Sequence, residues 1–181
     1  MAVFCGLMAV GAGGLAAAEP ADGPMAANMS PGDRPVLPPP AEQDTVVFPV
    51  QGMRGFGESA ARFGAWRGGR RHEGQDIFAP AGSPLFALRD GKVVETGDDG
   101  GRGNYIAVFN PDHDQTYVYL HMKNPARANL GEWVRAGERV GAIGCTGSCW
   151  GDHLHLELRR GRGPQGKPVD PLPLLRRLQA R

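Results

Sequence analysis

The sequence predicts an all-β domain, a small antiparallel β-sheet or β-sandwich that ends in a short C-terminal helix. From about residue 46 onward, short runs rich in β-branched and aromatic residues, such as KVVETG, YIAVF and TYVYLHM, are separated by Gly, Asp, Asn and Pro. Such spacing is typical of strands joined by turns. The stretch GDHLHLELRR alternates in polarity with the period of a strand. Only the final stretch, PLPLLRRLQAR, has a helical pattern.

The N-terminal part of the chain has a different composition. Residues 1–18, MAVFCGLMAVGAGGLAAA, form an apolar run that ends in small residues. This pattern predicts a signal peptide and export to the periplasm, the cell envelope or the exterior. The run contains no Lys or Arg, so an uncleaved membrane anchor is the alternative. Phe4 stands where a lipoprotein signal needs a small residue before Cys5, so we expect no lipidation.

Residues 19–45 carry seven of the 16 prolines of the chain. Such a segment is expected to form a disordered tether, because it offers few apolar side chains for a core. We therefore predict a globular domain at 46–175 and a C-terminal tail at 176–181.

Composition and charge exclude several classes of function. The chain is 41% hydrophobic and 22% charged, with a formal net charge of +1, which is typical of a globular domain without a nucleic-acid surface. Its glycine-rich stretches lack the G-K-[ST] ending of a phosphate loop, so no nucleotide cofactor is expected. Arg67, Arg70 and Arg71 are expected to lie in a solvated loop, and the protein is expected to be a monomer.

The predicted strand at 151–160 separates its side chains into two faces. Leu154 and the leucines two and four residues later would face the core, whereas His153, His155 and Glu157 would share the opposite face. Considered alone, the stretch is explained equally well as a half-buried strand with histidines on its open face and as one edge of a reactive site.

A second histidine lies close to a carboxylate in RRHEGQDIFAP. His72 and Asp76 are four residues apart, an even separation that keeps both on one face if the backbone is extended. Imidazole and carboxylate are both zinc ligands, and a catalytic zinc takes three protein ligands and leaves one position for water. The strand at 151–160 can supply the third ligand.

Seven segments occur in an order that resembles a known family. They are FPVQG, RHEGQDIFAPAGSPLFALRDGKVVETG, GRGNYIAVFN, TYVYLHM, VRAGERVGAIGCTG, GDHLHLELR and PVDPLPLL. Between Phe48 and Leu174 the chain is similar to the lysostaphin/LytM-like zinc endopeptidases of bacterial cell walls. This resemblance implies a catalytic domain of the LytM, or duplicated hybrid motif, type. It also implies one Zn²⁺ per chain and peptidoglycan as the substrate.

The resemblance also implies roles for five residues. His72, Asp76 and His155 would be the zinc ligands, and His153 and His121 would flank the zinc-bound water and the substrate. We favour His153 as general base. His121, expected on the same strand face as Tyr117 and Tyr119, would stabilise the oxyanion or protonate the leaving group, although the two roles are open to exchange. His113 falls in a turn and receives no role.

Further residues near these motifs have more general roles, and two of them have two interpretations each. Glu157 is either an acceptor for an imidazole N–H or an exposed carboxylate, and Asp152 either raises the pKa of His153 or caps its loop. Asn104 is expected to support the backbone. Cys145 and Cys149, which the family does not require, are expected to form a disulfide beside the site and to position Trp150; a cysteine nucleophile is disfavoured.

The sequence therefore predicts an exported zinc-dependent peptidoglycan endopeptidase. The alternative is a catalytically inactive domain of the same fold that binds the wall or activates an amidase. A sugar-phosphotransferase carrier domain also uses paired histidines, but the export signal and the placement of Asp76 argue against it.

Overall fold

The computed structural model describes residues 44–52 and 54–180. The predicted signal peptide and residues 19–43 of the predicted tether lie outside the described residues. Nine strands and one α-helix follow in order: β1 Gln75–Phe78, β2 Pro84–Phe86, β3 Gly91–Asp99, β4 Gly103–Asn110, β5 Gln115–Met122, β6 Trp133–Val134, β7 Arg139–Ala142, β8 His153–Arg160, β9 Pro168–Val169 and α1 Leu172–Gln179.

The strands form two antiparallel sheets. The larger has seven strands in the order β1-β8-β5-β4-β3-β6, with β9 paired to the free part of β8, and the smaller consists of β2 and β7. Every strand pairing is antiparallel. The predicted all-β fold with one short C-terminal helix is therefore confirmed. No helix among the described residues is long and apolar enough to cross a membrane.

One face of the large sheet forms the core. Leu154, Leu156 and Leu158 of β8 lie on this face together with Tyr117 and Tyr119 of β5. The core also receives Leu85 from the small sheet and Leu175 from α1, so both elements cover the same face. The leucine face predicted from the alternation in β8 is the buried one.

The opposite face of the large sheet forms the floor of a groove with a volume of about 890 Å³. Its floor includes Val118 and Leu120 of β5, together with the histidines of β8. Because β5 and β8 are neighbours and pair His155 with Leu120, side chains on this face lie side by side across the strands.

A β-bulge in β5 changes the face of one residue. Asn104 pairs with Met122 and Ile106 with Tyr119, so that Leu120 and His121 together lie opposite Tyr105. His121 has a left-handed backbone, with φ of 62°. As a result Tyr119 and Met122 both remain in the core, while Leu120 and His121 both line the groove. The expectation that His121 shares a face with Tyr117 and Tyr119 is wrong, because the bulge interrupts the alternation.

Replacing Leu156 by Ala should lower the free energy of unfolding by about 2–5 kcal/mol, because this side chain is fully buried between the two sheets. Urea unfolding in the presence of a chelator would measure the change without a contribution from metal. Leu130→Ala is the matched control, since that leucine is 67% exposed and its loss should change stability by less than about 0.5 kcal/mol. Equal effects of the two substitutions would contradict the assigned core.

Candidate metal centre

Asp76 and His155 meet through the pairing of β1 with β8. The two residues are direct partners in the antiparallel register, so their side chains project from adjacent positions on the groove face. The ring of His155 packs under a bend of the chain at Gly74. A Cβ atom at position 74 would lie 2.5 Å from the carbonyl oxygen of Leu156 and 2.7 Å from Nε2 of His155, so only glycine fits here.

His72 reaches the same point from outside the strand. It precedes β1, which begins at Gln75, and its backbone is held by hydrogen bonds with Gly64 and Ala65. Its side chain is fixed by a hydrogen bond from Nδ1 to the carbonyl oxygen of Arg62, at 2.8 Å. The predicted convergence with Asp76 is present, but a loop and not an extended strand brings it about.

The three side chains bring one donor atom each to a single point. Nε2 of His72 lies 3.0 Å from Oδ1 of Asp76 and 2.9 Å from Nδ1 of His155. Nδ1 of His155 lies 2.8 Å from the same carboxylate oxygen. All three residues are buried.

The outer hydrogen bonds decide which atoms of this triad carry protons. In the tautomers that suit these contacts, Nδ1 of His72 donates to the carbonyl oxygen of Arg62, and Nε2 of His155 donates to Oε1 of Glu157 at 3.1 Å. The remaining nitrogens then present lone pairs to one another and to a carboxylate oxygen. Lone pairs that face one another at this spacing are stabilised by a cation between them, either a metal ion or a proton on an imidazole, and the raised pKa of His155 has the same cause. Two imidazole nitrogens and one carboxylate oxygen match a zinc site with three protein ligands.

Arginines hold the outer oxygens of both carboxylates. Nη2 of Arg67 lies 2.5 Å from Oδ2 of Asp76, and Nε of Arg159 lies 2.8 Å from Oε2 of Glu157. Arg159 also contacts Glu73 at 2.7 Å. Arg67, Arg70 and Arg71 lie in an exposed turn, as expected, but this turn also directs Arg67 toward Asp76, a contact that the sequence did not predict.

The pKa values of Asp76, His155 and Glu157 reflect these contacts. Burial alone would raise the pKa of Asp76, but the hydrogen bonds with His155 and His72 hold it well below its ordinary range. For His155, burial lowers the pKa and the contacts with Asp76 and Glu157 raise it by more. Glu157 likewise has a lowered pKa because His155 and Arg159 outweigh its burial. Both carboxylates are therefore ionised at neutral pH.

His121 and His153 lie beside the triad, and equivalent hydrogen bonds orient their two rings. Nδ1 of His121 donates to the carbonyl oxygen of Thr146, and Nδ1 of His153 donates to that of Gly151, each at 2.8 Å. The ring centroids are 5.0 Å apart, and Nε2 of His153 is 3.7 Å from Oδ1 of Asp76. Each neutral imidazole therefore keeps Nε2 as an acceptor.

Burial lowers the pKa of both histidines, that of His121 to about 4. The sequence-based interpretation in which Asp152 raises the pKa of His153 is wrong, because Asp152 is exposed and burial of the imidazole dominates. At neutral pH both rings are uncharged.

The remaining predicted residues surround this centre. Nδ2 of Asn104 donates to the carbonyl oxygen of Met122, which supports the backbone beside the bulge. A disulfide joins Cys145 to Cys149 at the groove edge, next to Trp150, which is 89% exposed. His113 lies in a turn at the far end of β5, where it contacts Asp44.

Sequence reasoning missed Arg67 and Arg159 as partners of the site. The alternation in β8 extends to Arg159, so continuing it by two residues beyond Glu157 would have placed this arginine on the groove face. No comparable signal exists for Arg67, because a turn brings it to Asp76.

Comparison with known proteins identifies the family. The sequence profile described as Peptidase family M23 matches residues 70–171, more than half of the chain. The chain belongs to peptidase family M23. The resemblance seen in the sequence motifs is therefore confirmed.

Two proteins to which the chain is similar have names that state different peptidase activities. The chain is 38% identical over 104 residues to the DD-carboxypeptidase/endopeptidase Mpg of Neisseria meningitidis, covering 57% of this chain and 22% of that protein. It is 35% identical over 111 residues to the glycyl-glycine endopeptidase ALE-1 of Staphylococcus capitis, covering 60% of this chain and 30% of that protein. The chain therefore corresponds to less than a third of either relative.

Solved M23 structures share the fold. The catalytic domain of lysostaphin from Staphylococcus simulans aligns with a TM-score of 0.59 at 29% identity, covering 68% of this chain and 92% of that domain. A putative glycyl-glycine endopeptidase LytM from Ruminococcus gnavus aligns with a TM-score of 0.62 at 27% identity, covering 76% and 61%. The LytM-type fold is thus the fold of this chain.

Replacing Glu157 by Gln should weaken zinc binding by about ten- to hundredfold, because the carboxylate that orients His155 loses its charge. Competition with a chromogenic chelator would measure the change. Glu138→Gln is the control, since Glu138 is half-buried far from the triad and its side chain accepts a hydrogen bond from the backbone N–H of Arg135 in its own turn. Identical zinc affinities of the Glu157→Gln protein and the unmodified protein would contradict the role assigned to Glu157.

Proposed function

We propose that this chain is a zinc-dependent endopeptidase that hydrolyses peptide bonds in the stems or cross-bridges of peptidoglycan. The observation that carries this proposal is the convergence of His72, Asp76 and His155 on one point, with two neutral histidines beside it. These groups lie on the floor of a groove that is open to a polymeric substrate.

The donor set fits zinc, held by Nε2 of His72, Oδ1 of Asp76 and Nδ1 of His155. Zinc bound there would lower the pKa of a water molecule and polarise the carbonyl of the scissile bond. All proton transfers then depend on side chains of the chain itself.

His153 is the residue best placed to act as general base. It is neutral, its Nδ1 proton is committed to Gly151, and its Nε2 is 3.7 Å from the carboxylate of the ligand triad. A proton taken up at Nε2 would be stabilised by the nearby negative charge of Asp76. The same proton is then available to the leaving amine.

His121 has a more restricted role than the sequence suggests. Its Nδ1 proton is committed to Thr146 and its pKa is about 4, so at neutral pH its Nε2 has no proton to donate to an oxyanion. We propose that His121 accepts a hydrogen bond from the water or from the amide, and that it donates to an oxygen only after it has gained a proton.

The substrate class and the location are supported by separate observations. Relatives are named for peptidoglycan or glycyl-glycine endopeptidase activity, and peptidoglycan lies outside the cytoplasm. Residues 1–18 have the composition of a signal peptide. The disulfide between Cys145 and Cys149 also fits an oxidising compartment. We therefore propose that the chain is exported.

A non-catalytic role in wall binding or amidase activation is the competing function. A protein with only that role would not need the complete donor triad, nor the two oriented histidines beside it. A preparation that holds zinc but releases no muropeptides would support this competing function and contradict ours.

Three alanine substitutions should separate metal binding from catalysis. His155→Ala should abolish both zinc content and wall digestion, whereas His153→Ala should retain zinc and lose at least about a hundredfold in kcat, the contribution of a general base. His113→Ala, at a distant turn, should change neither. Metal analysis and release of soluble muropeptides provide the two measurements. Full activity of His153→Ala would disprove its role as base.

Removal of the metal by a chelator should inactivate the protein, and added zinc should restore activity, because His153 and His121 cannot polarise the carbonyl alone. Mass spectrometry of products from walls cross-linked through D-alanyl-diaminopimelate bonds and from walls with glycine bridges would identify the bond that is cut. Activity that survives complete metal removal would contradict the proposed mechanism.

A further inference from the structure

The segment 145–152, here called the disulfide loop, connects the end of the small sheet to β8. Gly144 and His153 pair with each other at its base, and the disulfide between Cys145 and Cys149 divides it. Only residues 150–152 separate the cross-link from His153. The loop supplies the backbone carbonyls that accept Nδ1–H from both His121 and His153.

The carbonyl that serves His121 is anchored independently of the disulfide. Oγ1 of Thr146 donates to the carbonyl oxygen of Met122 at 2.8 Å and accepts from the backbone N–H of Asn104 at 2.9 Å. Gly147 packs directly on Gly103, where a Cβ atom would come within 2.3 Å of the neighbouring backbone. Two strands of the large sheet therefore hold this end of the loop.

The carbonyl that serves His153 has no such anchor. Within the described part of the chain, the hydrogen bond from Nδ1 of His153 to Gly151 is the only one that residues 150–152 form with a group other than the disulfide sulfur. Gly151 has a left-handed backbone with φ of 81°, and open space surrounds its Cβ position. What lies against this carbonyl is the disulfide itself, since Sγ of Cys149 is 3.0 Å from the oxygen of Gly151 and 3.9 Å from Nδ1 of His153.

We infer that the Cys145–Cys149 disulfide is a positioning element for His153, acting through the carbonyl of Gly151. This inference rests on the proposed function of His153 as general base. The cross-link fixes Cys149, and through it the three residues that carry the carbonyl to the ring. The carbonyl in turn keeps the proton on Nδ1, which leaves Nε2 free to accept a proton from water.

Reduction would remove this support in two ways. Two electrons and two protons convert the disulfide into two thiols, so residues 145–152 lose their internal cross-link. In addition, the sulfur of Cys149 gains a hydrogen and becomes a donor that competes for the oxygen of Gly151, 3.0 Å away. The imidazole of His153 then loses both its preferred tautomer and its orientation. The disulfide is open to reductant because Cys145 is exposed.

The kinetic test uses the chain of 181 residues with Cys5→Ser, so that no third thiol is present. Adding Cys145→Ala and Cys149→Ala should lower kcat by roughly ten- to hundredfold, the usual cost of a misplaced catalytic group. KM and zinc affinity should change by less than about twofold, because the zinc ligands lie on other segments. A phosphine reductant should reproduce the loss in the parent protein and have no effect on the variant without cysteines.

The spectroscopic test follows the imidazole nitrogens by ¹⁵N NMR in the zinc-loaded protein. On reduction, the signals of His153 should move from the Nδ1–H tautomer toward a mixture, whereas those of His121 should stay unchanged because Thr146 is held by the sheet. His121 is thus an internal control. Gly151→Ala, which strains the same carbonyl with the disulfide intact, should alter the His153 tautomer in the same direction.

The outcomes separate this inference from the proposed function. An oxidised parent protein without activity would contradict the proposed function, while the tautomer of His153 would still report on the disulfide. Unchanged kcat and an unchanged His153 tautomer after reduction would overturn the inference. Equal changes at His121 and His153 would also overturn it, because they would show that the disulfide merely holds the loop together.

Discussion

The antiparallel register between β1 and β8 is the constraint on which the rest of the site depends. It makes Asp76 the direct partner of His155 and at the same time sends the leucines of β8 into the core. A shift of one residue would expose these leucines and bury the histidines. Burial of the leucine face therefore excludes every register shifted by an odd number of residues, in which Asp76 and His155 could not share the groove face.

The charges of the two buried carboxylates in the site are each balanced by an arginine. Asp76 and Glu157 each direct one oxygen to the histidine ligands and the other to an arginine, Arg67 or Arg159. A buried carboxylate without such partners would be costly. Each carboxylate can thus contact the histidines of the candidate metal centre while an arginine compensates its charge on the outer side.

Sequence patterns predicted those parts of the site that follow from local periodicity. The alternation in β8 placed His153, His155 and Glu157 on one face, and the leucines on the other, as the structure shows. The same reasoning failed at His121, where a bulge adds a residue to the strand. It also gave no signal for the contact of Arg67 with Asp76, which depends on a turn. The backbone geometry at both places does not follow the two-residue period of a strand.

Under the proposed function, the bulge in β5 also sets the stability of the domain against its activity. His121 occupies a left-handed conformation that costs a residue with a Cβ on the order of 1 kcal/mol. Deleting one residue here would relieve this cost and complete the ladder between β4 and β5, but it would remove the histidine from the groove. Selection for a more stable scaffold alone would therefore tend to erase this position, so its persistence in a lineage would record selection on the reaction.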